Sequence, residues 1–274
     1  MSVADHLTVI STARMLHERE LFYFSSRTLA HLLALNPSQV HQLVRQLMRA
    51  GLVAEIENGK YLLLGFEPER VLSNPLFIGC HLVTPGYVSY WSALHTYGFT
   101  EQAPLTIYVA TTKKKQPVEY AGQRFRFVTI RPRKFFGYRR EQVGGLPVLI
   151  ADEEKALIDS LSEPEYAGGI VEVAKALRAA IDGIDLNTLV DYANRIGNRT
   201  LGSRLGYLLE LVGRSVEPND AAVRREAGHE AAQLIRSRSL VKLDPSRPAQ
   251  AQRDVRWRLG LNVSLDELAA EGIG

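Results

Sequence analysis

Between residues 36 and 50 the sequence runs NPSQVHQLVRQLMRA, and its polar residues are of the kinds that read DNA. Val40, Leu43, Val44, Leu47 and Met48 recur at helical spacing and form one apolar stripe. The other side presents Ser38, His41, Gln42, Arg45 and Arg49, with Gln39 near its edge and no acid in the segment. Gln pairs with adenine and Arg with guanine in the major groove, so Ser38, Gln39, His41, Gln42 and Arg45 are the expected base-edge contacts. Arg27, Arg49 and Lys60 are expected on phosphates, which set position and affinity more than sequence choice. Taken alone, an amphipathic helix with a solvated face would show the same pattern, so its surroundings must decide.

A second concentration of charge lies in residues 111–140, which hold ten Lys/Arg against Glu119 alone, net +9. Residues 1–70 balance seven basic against seven acidic side chains, residues 71–110 contain only Glu101, and residues 141–274 are net −5. The overall charge of +3 therefore conceals a strongly basic stretch. Lys113, Lys114, Lys115, Arg124, Arg126, Arg131, Arg133, Lys134, Arg139 and Arg140 are expected to form a phosphate-binding surface. In RFRFV, Arg124 and Arg126 share one strand face while Phe125 and Phe127 share the other, giving a basic side and a buried side.

Enzymatic chemistry finds little support. Glu153-Glu154-Lys155 matches the E-x-K of metal-dependent nucleases, which needs its carboxylate and lysine on a strand close to a preceding Asp. Here the triplet falls in the first turn of a helix, and residues 71–151 contain no Asp before position 152. Cys80, the lone cysteine, lies in an apolar run and reads as a small buried hydrophobe. His95 has no second ligand at metal spacing and reads as a packed or capping histidine. Tyr87, Tyr90, Trp91 and Tyr97 could stack on bases, but their helical spacing favours a core. There is no Walker loop and no GxGxxG, so no catalytic residue, metal or cofactor is expected.

The elements around residues 36–50 place that helix in a recognisable arrangement. Asn36 is a good N-cap, Pro37 suits the first helical position, and Gly51 suits the helix end. Upstream, Ser25 can cap SRTLAHLLAL, so two short helices follow each other across a tight link. Downstream, strands at 52–56 and 60–64 flank Glu57-Asn58-Gly59, and Asn-Gly between apolar runs is a strong hairpin signal. Helix, helix, hairpin is the winged helix-turn-helix order. At 274 residues the chain is long enough for two domains. A winged helix-turn-helix is expected over 1–70, opened by a helix at 2–19, with a linker around 71–75. The second domain should occupy 75–274. Its mixed sheet would lie at about 76–150, with strands at 105–110, 124–130 and 146–150 and a helix starting at Pro85. Mainly helical chain should follow over 152–240, and a tail over 241–274 should return to the sheet through RWRLGLNV. The fold class is α+β. No run approaches the ~20 apolar residues of a membrane span, so a soluble, cytoplasmic protein with no membrane partner is expected.

The order of the winged helix, YVSYWSALHTYGF, LTIYVATTKKK, FRFVTIRPRKFFG and GLPVLIADEEKALIDSL resembles the AbiEi antitoxins of bacterial abortive-infection, type IV toxin–antitoxin systems. The tail, with LVKLDPSRPAQ and RWRLGLNVS, is similar to the end of that family, so the resemblance covers nearly the whole chain. It implies a repressor of its own operon that binds inverted repeats in promoter DNA through the winged helix and basic residues of the second domain. It also implies an antitoxin that opposes a nucleotidyltransferase-type toxin without a stable complex. Carried over by position, the matching residues are the NPSQVHQLVRQLMR helix and the basic run from Lys113 to Arg140. Two other classes stay open on the residues alone. One is a winged-helix regulator whose second domain responds to a small ligand. The other is a nucleic-acid enzyme using Glu153 and Lys155.

Overall fold

A computed structural model of the chain describes residues 9–213 and 239–269. Residues 214–238 of the expected helical chain and part of the opening helix expected at 2–19 lie outside the described residues. The described elements are a mixture of helices and sheets, the α+β class expected.

The N-terminal unit comprises α1 (Val9–Glu18), β1 (Tyr23–Ser25), α2 (Ser26–Leu33), α3 (Pro37–Arg49), β2 (Val53–Glu57) and β3 (Lys60–Leu63). β2 and β3 form the expected hairpin, and β1 pairs antiparallel with β3 to give the order β1-β3-β2. Each end of the helix-turn-helix has a local cause. The Ser25 hydroxyl accepts the Thr28 N–H and caps α2, and Ala34 ends it in the left-handed conformation. Asn36 Oδ1 accepts the Gln39 N–H at 2.9 Å, Gln39 Oε1 accepts the Asn36 N–H at 3.0 Å, and Pro37 occupies the first turn of α3. Val40, Leu43, Val44 and Leu47 are buried with Leu16, Phe24, Leu29 and Leu62. Met48, expected in the same stripe, is 39% exposed at its margin.

The second unit is built on a six-stranded mixed sheet. Its strands are β4 (Gly86–Val88), β5 (Thr106–Thr111), β6 (Val118–Tyr120), β7 (Gln123–Thr129), β8 (Tyr138–Val143) and β9 (Leu146–Ala151), in the order β6-β7-β5-β4-β9-β8. β5 runs parallel to β7 and β4 parallel to β9, and the other neighbours are antiparallel. Short helices α4 (Pro68–Leu72), α5 (Pro75–His81) and α6 (Tyr90–Thr96) precede or interrupt these strands. Then come α7 (Glu153–Ser162), α8 (Ile170–Ala180), α9 (Leu186–Ile196) and α10 (Arg199–Gly213). Every α7 residue from Lys155 to Ser162 is buried, which makes α7 the hub between the sheet and the later helices. Asp152 caps it by accepting the Lys155 N–H at 2.8 Å.

Several expectations are corrected. Residues 71–75 are not a free linker but the end of α4 and the start of α5, clasped to the turn between β8 and β9. Asn74 Nδ2 donates to the Val143 carbonyl at 2.6 Å, and Arg70 donates to the Gly144 and Gly145 carbonyls at 3.1 and 2.6 Å. The helix expected from Pro85 starts only at Tyr90, because Tyr87 and Val88 are drawn into the sheet between β5 and β9. The tail does not return to the main sheet. β10 (Val241–Lys242), β11 (Arg253–Asp254) and β12 (Leu259–Gly260) form a separate small sheet, followed by α11 (Leu265–Ala269). Trp257 fills the space that Gly206 leaves on α10: a Cβ there would lie 1.8 Å from the indole ring. No helix among the described residues is long and apolar enough to cross a membrane.

Candidate nucleic-acid interface

The apolar stripe of α3 is consumed by the core, so the helix presents its polar side outward. Ser38, His41, Gln42 and Arg45 are exposed, and their side chains have no hydrogen-bond or ion-pair partner among the described residues. Arg49 on α3 and Arg27 on α2 are exposed and unpaired in the same sense. Gln39 is partly committed: its side-chain oxygen is used by the capping box, which leaves only its amide N–H groups for a base edge. Gln46, one turn after Gln42, is also exposed and was not anticipated, although its i+4 spacing from Gln42 was a usable signal.

The wing meets the second unit through one carboxylate. Glu57, at the end of β2, accepts hydrogen bonds from Lys115 Nζ at 2.5 Å, Tyr23 Oη at 2.5 Å and Lys60 Nζ at 3.2 Å. The Lys115 side chain is only 12% exposed, with its ammonium 5.3 Å from the Phe127 ring centroid and 5.7 Å from that of Tyr23. Burial alone would raise the Glu57 carboxyl, but the hydrogen bonds from Lys115 and Tyr23 outweigh it and hold the group below the ordinary carboxylate range. Lys115 is thus a brace between wing and sheet, a correction to its expected phosphate role. Its neighbours Lys113 and Lys114 are exposed and without an acidic partner among the described residues. The brace sets these two cations beside the wing.

The rest of the basic run divides in two. Arg124 pairs with Glu119 at 2.8 Å. Arg139 engages Glu153 at 2.7 and 2.9 Å and also Glu141, and Arg140 makes a two-point pair with Glu20 at 2.7 and 3.1 Å. Glu119 lies within the basic stretch, but Glu20, Glu141 and Glu153 lie outside it, so the field of 111–140 is weaker than its sequence charge. Lys113, Lys114, Arg131, Arg133 and Lys134 have no ion pair among the described residues, and Arg126 lies over the Tyr166 ring at 4.9 Å. β7 has the alternation expected, with Arg124 and Arg126 outward and Phe125 and Phe127 buried. Lys60 shares Glu57 with Lys115 and is 44% exposed, half committed to the wing.

The E-x-K triplet does not converge. Glu153 turns to Arg139, whereas Lys155 is fully buried, donating to Tyr87 Oη at 2.8 Å and ion-paired with Asp159. Asp159 also accepts from Tyr87 Oη at 3.0 Å and Ser89 Oγ at 2.8 Å. Burial lowers the Lys155 pKa and the Asp159 charge opposes that shift. No group of three or more potential metal ligands occurs among the described residues. His95 is exposed at the end of α6, not packed or capping as expected. Tyr87 and Tyr90 are buried, in keeping with a core role, and Cys80 is buried as expected.

Compared with known proteins, the sequence matches no family model and no curated protein. The fold is similar to the crystal structure of the RV2827C protein from Mycobacterium tuberculosis, with a TM-score of 0.54 and 12% sequence identity, covering 90% of this chain and 89% of that one. At that identity the two share a fold, and the α+β architecture described above is not peculiar to this chain.

Proposed function

We propose that the protein is a sequence-specific double-stranded DNA-binding repressor, not an enzyme, that uses α3 as its reading helix. The observation that carries this reading is the polar side of α3. Four residues able to bond base edges, Ser38, His41, Gln42 and Arg45, stand exposed and unpartnered there, in a helix-turn-helix whose wing is braced. Arg27, Arg49, Lys113, Lys114, Arg126, Arg131, Arg133 and Lys134 would hold phosphates. The resemblance to AbiEi antitoxins extends the proposal. The DNA would be promoter inverted repeats of the protein's own operon, and the protein would oppose a nucleotidyltransferase-type toxin in the cytoplasm without a lasting complex. Salt-titrated binding to the DNA upstream of its own gene, against a scrambled fragment, tests the first part. Equal binding to both would remove the repressor reading. Co-expression with a neighbouring nucleotidyltransferase tests the second, where unrelieved growth arrest would remove the antitoxin role.

A further inference from the structure

Beyond the end of β7 lies a polar pocket of about 460 Å³, within the ordinary size of small-molecule sites. Two separate segments bring four cations to it: Arg131, Arg133 and Lys134 from the turn after β7, and Arg199 from the first turn of α10. None of the four is within ion-pair distance of an acid among the described residues. The positive end of the α10 helix dipole adds to the same field.

The floor of the pocket is polar as well, and incompletely satisfied. Ser162 is 8% exposed, and its buried Oγ has no hydrogen-bond partner among the described residues. Tyr90 is 1% exposed, makes no side-chain hydrogen bond among the described residues, and is held at φ +56, where a bulky residue is strained. Asp159 also lines the pocket, but Lys155, Tyr87 and Ser89 already occupy its carboxylate. Its charge is compensated, so Glu163 is the one acid left to set against four cations. Native interiors seldom leave polar groups unpaired, and unpaired hydroxyls below a cationic rim call for a ligand with both an anion and hydrogen-bonding groups.

We infer that this pocket binds a small organic phosphate, with its phosphomonoester on Arg131, Arg133 and Arg199 and its hydroxyl or amine groups against Tyr90, Ser162 and Glu163. A nucleotide and a sugar phosphate share that chemistry. A duplex offers phosphodiesters along a continuous backbone and no terminal phosphate, and its paired bases and sugars would not reach the buried floor at Tyr90 and Ser162 while that backbone lies on the exposed cations. Arg199, Tyr90 and Ser162 play no part in the DNA contacts proposed above, whereas Arg131 and Arg133 are shared with them, so a titration without DNA reads this site apart from that proposal.

The test is calorimetric titration of the full chain, without DNA and at low salt, with AMP, ribose 5-phosphate, adenosine and inorganic phosphate. Both phosphomonoesters should bind, adenosine should not, and inorganic phosphate should bind at least about tenfold more weakly than the better ester. A preference for AMP would mark a nucleotide site, and equal affinities a sugar phosphate site. Arg199→Gln should weaken ester binding about tenfold or more, because a charge-assisted pair is lost from an exposed position that folding does not need. Arg133→Gln should do the same and serves if the first variant misfolds. The inference is overturned if neither ester binds, if inorganic phosphate binds as tightly as both, or if the folded arginine variants bind as well as the parent.

Discussion

Lys115→Met separates a brace from a phosphate ligand. The Lys115 side chain is 12% exposed and that of Glu57 is 24% exposed, so the pair is largely but not wholly desolvated. Removing one partner of a fully buried pair costs about 3–5 kcal/mol. Here Tyr23 and Lys60 remain on Glu57, and the loss should come nearer that of one charged hydrogen bond, about 2 kcal/mol. Glu57→Gln should cost a similar amount, and the double variant clearly less than the sum of the two. Urea unfolding gives these values. The depressed Glu57 carboxyl fixes the pH dependence: its stabilisation is complete above the unfolded value of about 4.3 and is lost as the pH falls through the lower folded value. The difference between parent and Lys115→Met should therefore shrink in acid. In DNA binding, Lys113→Ala and Lys114→Ala should each lower the salt-dependence slope by about 1, whereas Lys115→Met should leave it nearly unchanged. If Lys115→Met lowered the slope by a full unit with unchanged stability, the ammonium would be meeting phosphate and the brace would be wrong.

Three further variants probe other parts of the structure. Gln39→Ala should cost about 0.5–1 kcal/mol through the α3 cap, as read by thermal unfolding. Asp159→Asn should destabilise by about 3–5 kcal/mol, because it strands the Lys155 ammonium in the core, and adding Lys155→Met should recover much of the loss in denaturant titrations. Gly206→Ala should cost at least about 1–3 kcal/mol, since its new methyl would overlap the Trp257 ring, and a melting temperature no lower than the parent's would contradict that packing.

The parts of this protein that were legible in the sequence are those whose causes are local. Asn36-Pro37, the stripe from Val40 to Leu47 and Asn58-Gly59 each carry their own geometry, and the helices and hairpin fall where these residues put them. What escaped depends on distant partners. β4 hid in an aromatic stretch because Tyr87 is extended only by virtue of its neighbours β5 and β9. β8, YRREQV, has no apolar alternation, since it is an edge strand that presents most of its side chains to solvent. Glu57 lies 58 positions from Lys115, and Glu20 lies 120 from Arg140, so a count over neighbouring residues overstated the available positive charge. Gln39 is the exception: Asn-x-x-Gln ahead of an apolar run is itself a capping signature.

The clasp of Arg70 and Asn74 on the β8–β9 turn bears on how the molecule would search DNA. Two modules on a flexible tether sample many separations, and the second binds with an effective concentration set by tether length. Here Arg70 fills the space above Gly145, where a Cβ would lie 2.1 Å from its guanidinium, so the units meet through a packed contact and not across a free tether. The ordering entropy of a tether is then spent in folding and not at the binding step. The cations of the second unit would also keep a constant offset from α3. Moving the flanking duplex by half a helical turn, about 5 base pairs, would carry its phosphates to the far side of the helix, beyond the reach of a stiff reader.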